Sequence, residues 1–394
     1  MQTELADFIR DTPEGREADA ILRKCVHCGF CTATCPTYQV LGDDLDSPRG
    51  RIYLMKRALE GGPVSGKTRL HLDRCLTCRA CETTCPSGVR YGRLVDIGRA
   101  VVEARTRRSP WDRLRRGALA FALPRSGLFK AGLRLAQAVG LQPRTRPAGA
   151  WPAARHARRM LVLRGCVQPA LAPSINAAAA RVLDRVGVSL LEVPGAGCCG
   201  GLRFHLNEQE AGRDDMRALI DAWWPLVAGR EIEAIVMTAS GCGVTVKDYA
   251  HLLALDASYR GRAERVSELT RDLCEVIRPE DLPAGTGRGR VAFHSPCTLQ
   301  HGQQLRGNVE ALLARVGYEL VPVRDAHLCC GSAGTYSLLQ PQIARELRSR
   351  KVAALQEGAP QAIASANIGC LVHLQGGAAT PVRHWIELVD AALA

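Results

Sequence analysis

Aromatic side chains make up only 5% of this 394-residue chain, and lysine is scarcer still, with six residues against 46 arginines. So few aromatics leave no interleaved stacking platform for nucleic-acid bases, and no nucleic-acid-binding module is visible. No apolar run approaches the roughly 20 residues that a membrane-spanning helix needs. The first 24 residues, MQTELADFIRDTPEGREADAILRK, carry charges where a signal peptide needs an apolar stretch. The expectation is a cytoplasmic protein, soluble or peripheral on a membrane. No dinucleotide-binding unit or flavin-binding pattern is recognised, so no substrate-oxidising site is expected on this chain and no catalytic residue is nominated.

What is present in excess is cysteine. An apolar fraction of 46%, a charged fraction of 23% and 38 glycines describe an ordinary globular chain, long enough for two to four domains. A chain of this length needs no staples, and a reducing compartment argues against structural disulfides. Metal ligation or redox chemistry remains to account for 17 cysteines.

Eight of them fall in two runs of one spacing, CVHCGFCTATCP at residues 25–36 and CLTCRACETTCP at residues 75–86, with 39 residues between Cys35 and Cys75 whose middle reads as helical. C-x2-C-x2-C-x3-C-P resembles the iron-sulfur run of bacterial ferredoxins, where three thiolates wrap one cluster and the fourth crosses to the other. That resemblance implies Cys25, Cys28, Cys31 and Cys85 on one 4Fe-4S cluster, and Cys75, Cys78, Cys81 and Cys35 on a second. Pro36 and Pro86 set the exit of the chain. Zinc is the competing occupant, but it usually takes two well-separated C-x2-C pairs.

Residues 1–100 are thus read as a mostly helical two-cluster domain. Residues 101–155 form a basic connector with Leu and Phe at helix-like intervals and prolines closing each piece. Residues 99–164 hold 16 Arg or Lys against two acids, Glu103 and Asp112. Trp111, Leu114, Leu119, Phe121, Phe129 and Leu133 among these arginines read as an interfacial amphipathic segment, for a membrane or an acidic partner, with a solvated linker as the plain alternative. Nearby, GPVSGKT preceded by Gly61 spells a phosphate loop, but helical sequence stands where that loop requires a buried strand.

Beyond residue 155 the pattern turns to strand, helix and strand, twice. Cys166 precedes Cys198 and Cys199 by the same 32 residues that separate Cys297 from Cys329 and Cys330, with Cys242 and Cys370 following at 43 and 40. Two α/β halves, 156–285 and 286–394, are expected, with parallel sheets and cysteines at the carboxyl edge. Adjacent cysteines rarely bond each other but offer two sulfurs to one centre. Cys274 is left over and reads as a small buried hydrophobe.

Taken together, ILRKCVHCGFCTATCPTY, SPRGRIYLMK, HSPCTLQHG, CCGSAGTYS and PVRHWIELVD resemble the glycolate oxidase iron-sulfur subunit family from end to end. The cysteine-pair (CCG) halves are shared with heterodisulfide reductase, anaerobic glycerol-3-phosphate dehydrogenase and lactate-utilisation proteins. The resemblance implies an α+β multidomain chain that works beside flavoprotein subunits oxidising glycolate to glyoxylate, and passes electrons toward the quinone pool at the cytoplasmic face of the inner membrane. Some relatives bind a further cluster in the CCG region through a closing C-x2-C. Here Thr245 and His373 stand at that closing position, so Cys166, Cys198, Cys199, Cys242, Cys297, Cys329, Cys330, Cys370 and His373 are the candidate ligands of any further cluster. The half with His373 is expected to be the better binder, because imidazole ligates iron and a threonine hydroxyl does so poorly. The alternatives are the equivalent subunit of a D-lactate or anaerobic glycerol-3-phosphate dehydrogenase and, from another class, a zinc-bearing nucleic-acid protein.

Overall fold

A computed structural model describes residues 1–140 and 145–394; residues 141–144 of the connector lie outside the described residues. The N-terminal region is helical. Its longer helices are Pro13–Lys24, Pro48–Leu59, Gly66–Asp73 and Tyr91–Arg105. Pro13 and Pro48 start helices here: each occupies the first turn behind a side-chain cap, Thr12 accepting from the Gly15 amide and Ser47 from the Gly50 amide. Ala18, Ile21 and Leu22, then Ile52, Met55 and Leu59, then Leu94, Val95 and Val102, recur at helical spacing and close one core. The GPVSGKT stretch has no strand before it. Ser65 and Thr68 cap the helix Gly66–Asp73 reciprocally, which is the use of its hydroxyls.

The connector forms two helices, Pro110–Ala122 and Ser126–Ala138. Much of its charge is paired locally. Arg108, nearly buried, meets Asp73, Glu103 and Asp112 at 2.7, 2.6 and 2.9 Å, and Arg116 also reaches Asp73 at 3.2 Å. Arg115 donates to the Leu338 carbonyl at 2.8 Å, and the Ala120 carbonyl accepts from Arg203 at 3.1 Å. Trp111, Leu114, Phe121, Leu128 and Leu135 remain exposed.

The rest of the chain folds into two four-stranded parallel sheets. Strands β1 (Arg158–Val162), β2 (Val188–Glu192), β3 (Ala234–Met237) and β4 (Thr270–Asp272) lie in the order β2-β1-β3-β4. Strands β5 (Arg290–His294), β6 (Glu319–Val321), β7 (Ala362–Ser365) and β8 (Val382–His384) repeat that order as β6-β5-β7-β8. The helices Ser174–Arg185 and Asn308–Arg315 cross between the first two strands of each sheet. Apolar residues of both halves, among them Val162, Leu183, Val291, Leu312 and Trp385, share one core. At the carboxyl edge the halves meet directly: the Ser240 amide donates to the Ala366 carbonyl at 3.0 Å, and the Gly241 amide to Asn367 Oδ1 at 3.2 Å.

GAGCCG at residues 195–200 has the glycine spacing of a dinucleotide fingerprint, and the structure gives it another use. The turn leads into a five-residue helix, Gly201–His205, and places Cys198 and Cys199 beneath the next long helix, Gln209–Ala228. Gly200 has φ +78°, and a Cβ there would lie 2.3 Å from the Gly212 carbonyl oxygen. Gly331 repeats this after Cys330, with φ +89° and a Cβ position 2.8 Å from the Ala344 oxygen. The glycine after each cysteine pair thus answers both a left-handed backbone and a close helix approach. Gly200→Ala is expected to lower unfolding stability by about 2 kcal/mol or more, read by chemical denaturation. An unchanged midpoint would show that the turn does not need glycine.

Candidate metal centres

Both ferredoxin-like runs fold the same way because both turn left-handed at the same two positions. His27 and Gly29 have φ of 56° and 86°; Thr77 and Arg79, fifty residues on, have 52° and 59°. Three of these four are not glycine, at about 1–3 kcal/mol each, so the surrounding packing must enforce the turns. A short helix follows each turn, Phe30–Ala33 and Ala80–Thr84, and the fourth cysteine of the run stands at its end.

The thiols gather in two adjacent small cavities. One is lined by Cys25, Cys28, Cys31, Cys81 and Cys85, with Val26, Phe30, Ile52 and Val89 as apolar wall. The other is lined by Cys75, Cys78, Cys81 and Cys35, with Leu76, Arg51 and Tyr91. Burial pushes the Cys31 thiol up to about 11, and raises those of Cys78 and Cys81 well above the ordinary range. Left alone, such thiols stay neutral; as thiolates they need a positive centre among them. Four sulfurs around a small apolar-walled space suit a metal-sulfur cluster.

Polar groups reach the thiols of the second cavity. Tyr91 Oη lies 3.6 Å from Cys75 Sγ, and the Thr77 amide donates to the same sulfur at 3.4 Å. The Arg51 side chain, 1% exposed, donates to the His71 carbonyl at 2.7 Å, to Thr37 Oγ1 at 3.0 Å and to Asp46 at 3.3 Å. Its Nη1 is 4.0 Å from Cys35 Sγ. Asp46 also pairs with Arg74 at 2.8 Å, so a buried ion network backs this cavity.

The paired cysteines lie at the carboxyl edges of both sheets. In the first half Cys166 interacts with Cys198, and Cys199 with Cys198 and Cys242. In the second half Cys297 Sγ is 3.9 Å from Cys329 Sγ, and Cys330 interacts with Cys329 and Cys370. A cavity of about 260 Å³ between the halves is lined by Cys166, Cys198, Cys199, Cys242, Cys297, Cys329 and Cys370, together with Cys75 and Cys78 of the helical region. The helical region is held there by Arg79 and Arg93 on Asp248 at 3.1 and 2.9 Å, Thr83 Oγ1 on His301 Nδ1 at 3.0 Å, and Tyr336 Oη donating to the Arg74 carbonyl at 3.1 Å.

Two candidate positions take other roles. Thr245 Oγ1 donates back to the Gly241 carbonyl at 3.1 Å within its own helix. His373 Nε2 meets the Ala344 carbonyl of the helix Pro341–Gln356 at 3.2 Å, and the ring also interacts with the Cys330 backbone, so it stays beside the cysteine pair. The histidine grouped with two thiols is His294, whose ring lies with Cys330 and Cys370 such that their ligand atoms are within 4.8 Å of one another. The sequence held a signal for it: HSPC in one repeat stands against LRGC in the other. Cys274 is buried, its amide donating to Asp272, as a small hydrophobe should be.

Cysteine centres of this kind on this fold define an iron-sulfur protein with a duplicated cysteine-rich region. Residues 21–89 match the 4Fe-4S dicluster domain, and residues 160–247 and 291–375 match the cysteine-rich domain. The chain is 54% identical to the glycolate oxidase iron-sulfur subunit of Escherichia coli K12, across all of this chain and 99% of that one, and it belongs to the glycolate oxidase iron-sulfur subunit family. The probable glycolate oxidase iron-sulfur subunit of Bacillus subtilis is 28% identical over 90% of this chain and 89% of its own. A fumarate reductase (CoM/CoB) subunit of Methanothermobacter marburgensis is 24% identical over 100% of this chain and 76% of its own. A hypothetical protein from Helicobacter pylori shares the fold, with a TM-score of 0.51 at 9% identity over 97% of this chain and 73% of that one. The chain is accordingly an iron-sulfur electron-transfer subunit, which excludes the zinc-bearing nucleic-acid reading.

Proposed function

We propose that this chain takes electrons from flavoprotein subunits that oxidise glycolate to glyoxylate, and delivers them toward the membrane quinone pool. The observation that carries the reading is the pair of cysteine cavities sharing Cys81, the second of which opens toward the strand-end cysteines. When bound, each 4Fe-4S cluster supplies a one-electron carrier. Cys25, Cys28, Cys31 and Cys85 hold the first, and Cys75, Cys78, Cys81 and Cys35 the second. Apolar side chains line the first, which leaves Cys28 exposed, while Arg51, Tyr91 and the Thr77 amide place positive or donor groups toward the sulfurs of the second. The divisions 1–100, 101–155, 156–285 and 286–394 then separate two-cluster domain, connector and two CCG domains.

The connector suits contact at the membrane surface. No helix among the described residues is long and apolar enough to cross a membrane. The exposed Trp111, Leu114, Phe121, Leu128 and Leu135 lie among arginines instead, as in an amphipathic segment that rests on anionic headgroups.

Purified anaerobically from its own cells, the tagged chain is expected to bring flavin-containing subunits with it. The complex should bind anionic vesicles at low salt and release them at high salt, where the Debye length shortens to about 3 Å at 1 M. Flavin-free chain under conditions that preserve complexes would contradict the partnership; indifference to vesicles would leave the connector a linker. Cys35→Ser is expected to damage the cluster of Cys75, Cys78 and Cys81, not the one nearest in sequence. Loss of only the Cys25, Cys28 and Cys31 centre, seen by electron paramagnetic resonance, would refute the crossed ligation.

A further inference from the structure

We propose that His294 completes a third iron-sulfur centre in the second CCG half, its Nε2 ligating iron together with Cys330 and Cys370 and the neighbouring Cys297 and Cys329. His294 ends β5 and is 2% exposed. Its Nδ1 lies 2.9 Å from Ser365 Oγ, while its Nε2 is buried with no hydrogen-bond partner. An unpaired buried polar atom is costly, and an unseen ion is one of the few things that justify it. The ligand atoms of His294, Cys330 and Cys370 lie within 4.8 Å of one another. An Nδ1–H that donates to Ser365 Oγ would leave the Nε2 lone pair free for a metal, the arrangement in which a second polar partner orients a metal-bound imidazole.

The first half shows that the fold itself does not require this pair. Three residues before Cys166, where His294 stands before Cys297, the first repeat has Leu163; five residues before Cys242, where Ser365 stands before Cys370, it has Met237. Both are buried and apolar. One half therefore closes the position by packing, and the other spends a desolvated imidazole on it. The thiols of the second half also have polar support: the Gly331 amide donates to Cys329 Sγ and Asn367 Nδ2 to Cys370 Sγ, each at 3.4 Å. The buried amino group of Lys351, held by the Asp325 carbonyl at 2.6 Å, also lies close to Cys329 and Cys330. A neutral imidazole in place of a thiolate leaves this centre less negative than an all-cysteine one, the change that accompanies a raised potential elsewhere.

This inference rests on the iron-sulfur reading of the chain, and its test separates the two. The whole protein is grown with ¹⁵N-histidine, purified anaerobically, and examined for metal content and by pulsed electron paramagnetic resonance. The parent should hold iron beyond the about eight atoms of two 4Fe-4S clusters, in a centre coupled to ¹⁵N. His294→Leu, which installs the residue of the first half, should lose both the coupling and the excess iron while the signals of the two ferredoxin-type clusters persist. His294→Cys should keep the excess iron and lose only the coupling. Parent iron of about eight atoms, zinc in place of the excess iron, or a third centre without ¹⁵N coupling overturns the proposal and leaves the two-cluster reading intact. Iron well below eight atoms in the parent would overturn that reading as well.

Discussion

A thiol buried against apolar walls cannot ionise unless a positive centre faces it, and 16 of the 17 cysteines, ten of them buried and Cys28 exposed, gather where such a centre would sit. In the helical region the answer is two small cavities, each gathering three thiols of one run with the last of the other, and both lined by Cys81. The backbone accepts left-handed turns at His27, Thr77 and Arg79 to bring those sulfurs together. Such turns persist only because the capped helices Pro13–Lys24 and Gly66–Asp73 deliver the chain to each run from a packed core. Sulfur burial and helix packing are therefore one arrangement.

The same constraint explains how the halves sit. Strand-end cysteines at the carboxyl edge of a parallel sheet face a crevice, and two such edges meeting at Ser240 and Ala366 enclose a shared one. Cys78 of the helical region lines that crevice with Cys297 and Cys329, so the second ferredoxin-type cavity and the second CCG site are neighbours. Asp248, pinned by Arg79 and Arg93, fixes this docking through partly buried ion pairs close to the Cys78 turn. A carrier of electrons needs its centres close, and packing joins the two thiol cavities through Cys81 and the second of them to the crevice through Cys78.

What local spacing encodes was legible in the sequence. The 2-2-3-Pro runs, the equal 32-residue intervals, the strands before Cys166 and Cys297 and the buried Cys274 all depend on neighbours within a few tens of residues. What depends on contact across the fold was not. His373 stands at a closing C-x2-C position, but its hydrogen bond to the Ala344 carbonyl is a contact across the fold that this position does not encode. His294 is brought to Cys330 and Cys370 by strand pairing that places β5 beside β7, a relation no spacing rule records. The pairing of Arg108 with Asp73, across 35 residues, likewise removes part of a charge cluster that looked free in the sequence. The glycine spacing at residues 195–200 shows the converse: a motif can be spelled and serve only to seat two thiols.

The most direct test of the account follows the electrons. With the flavoprotein subunits present and oxygen excluded, glycolate should bleach the iron-sulfur absorbance of this chain, and both ferredoxin-type clusters should show their reduced signals. With the chain alone, glycolate should change nothing, while dithionite reduces the same clusters. Clusters that stay oxidised in the assembled complex, or that glycolate reduces without the flavoprotein, would contradict the role of this chain as a carrier that does not itself oxidise the acid.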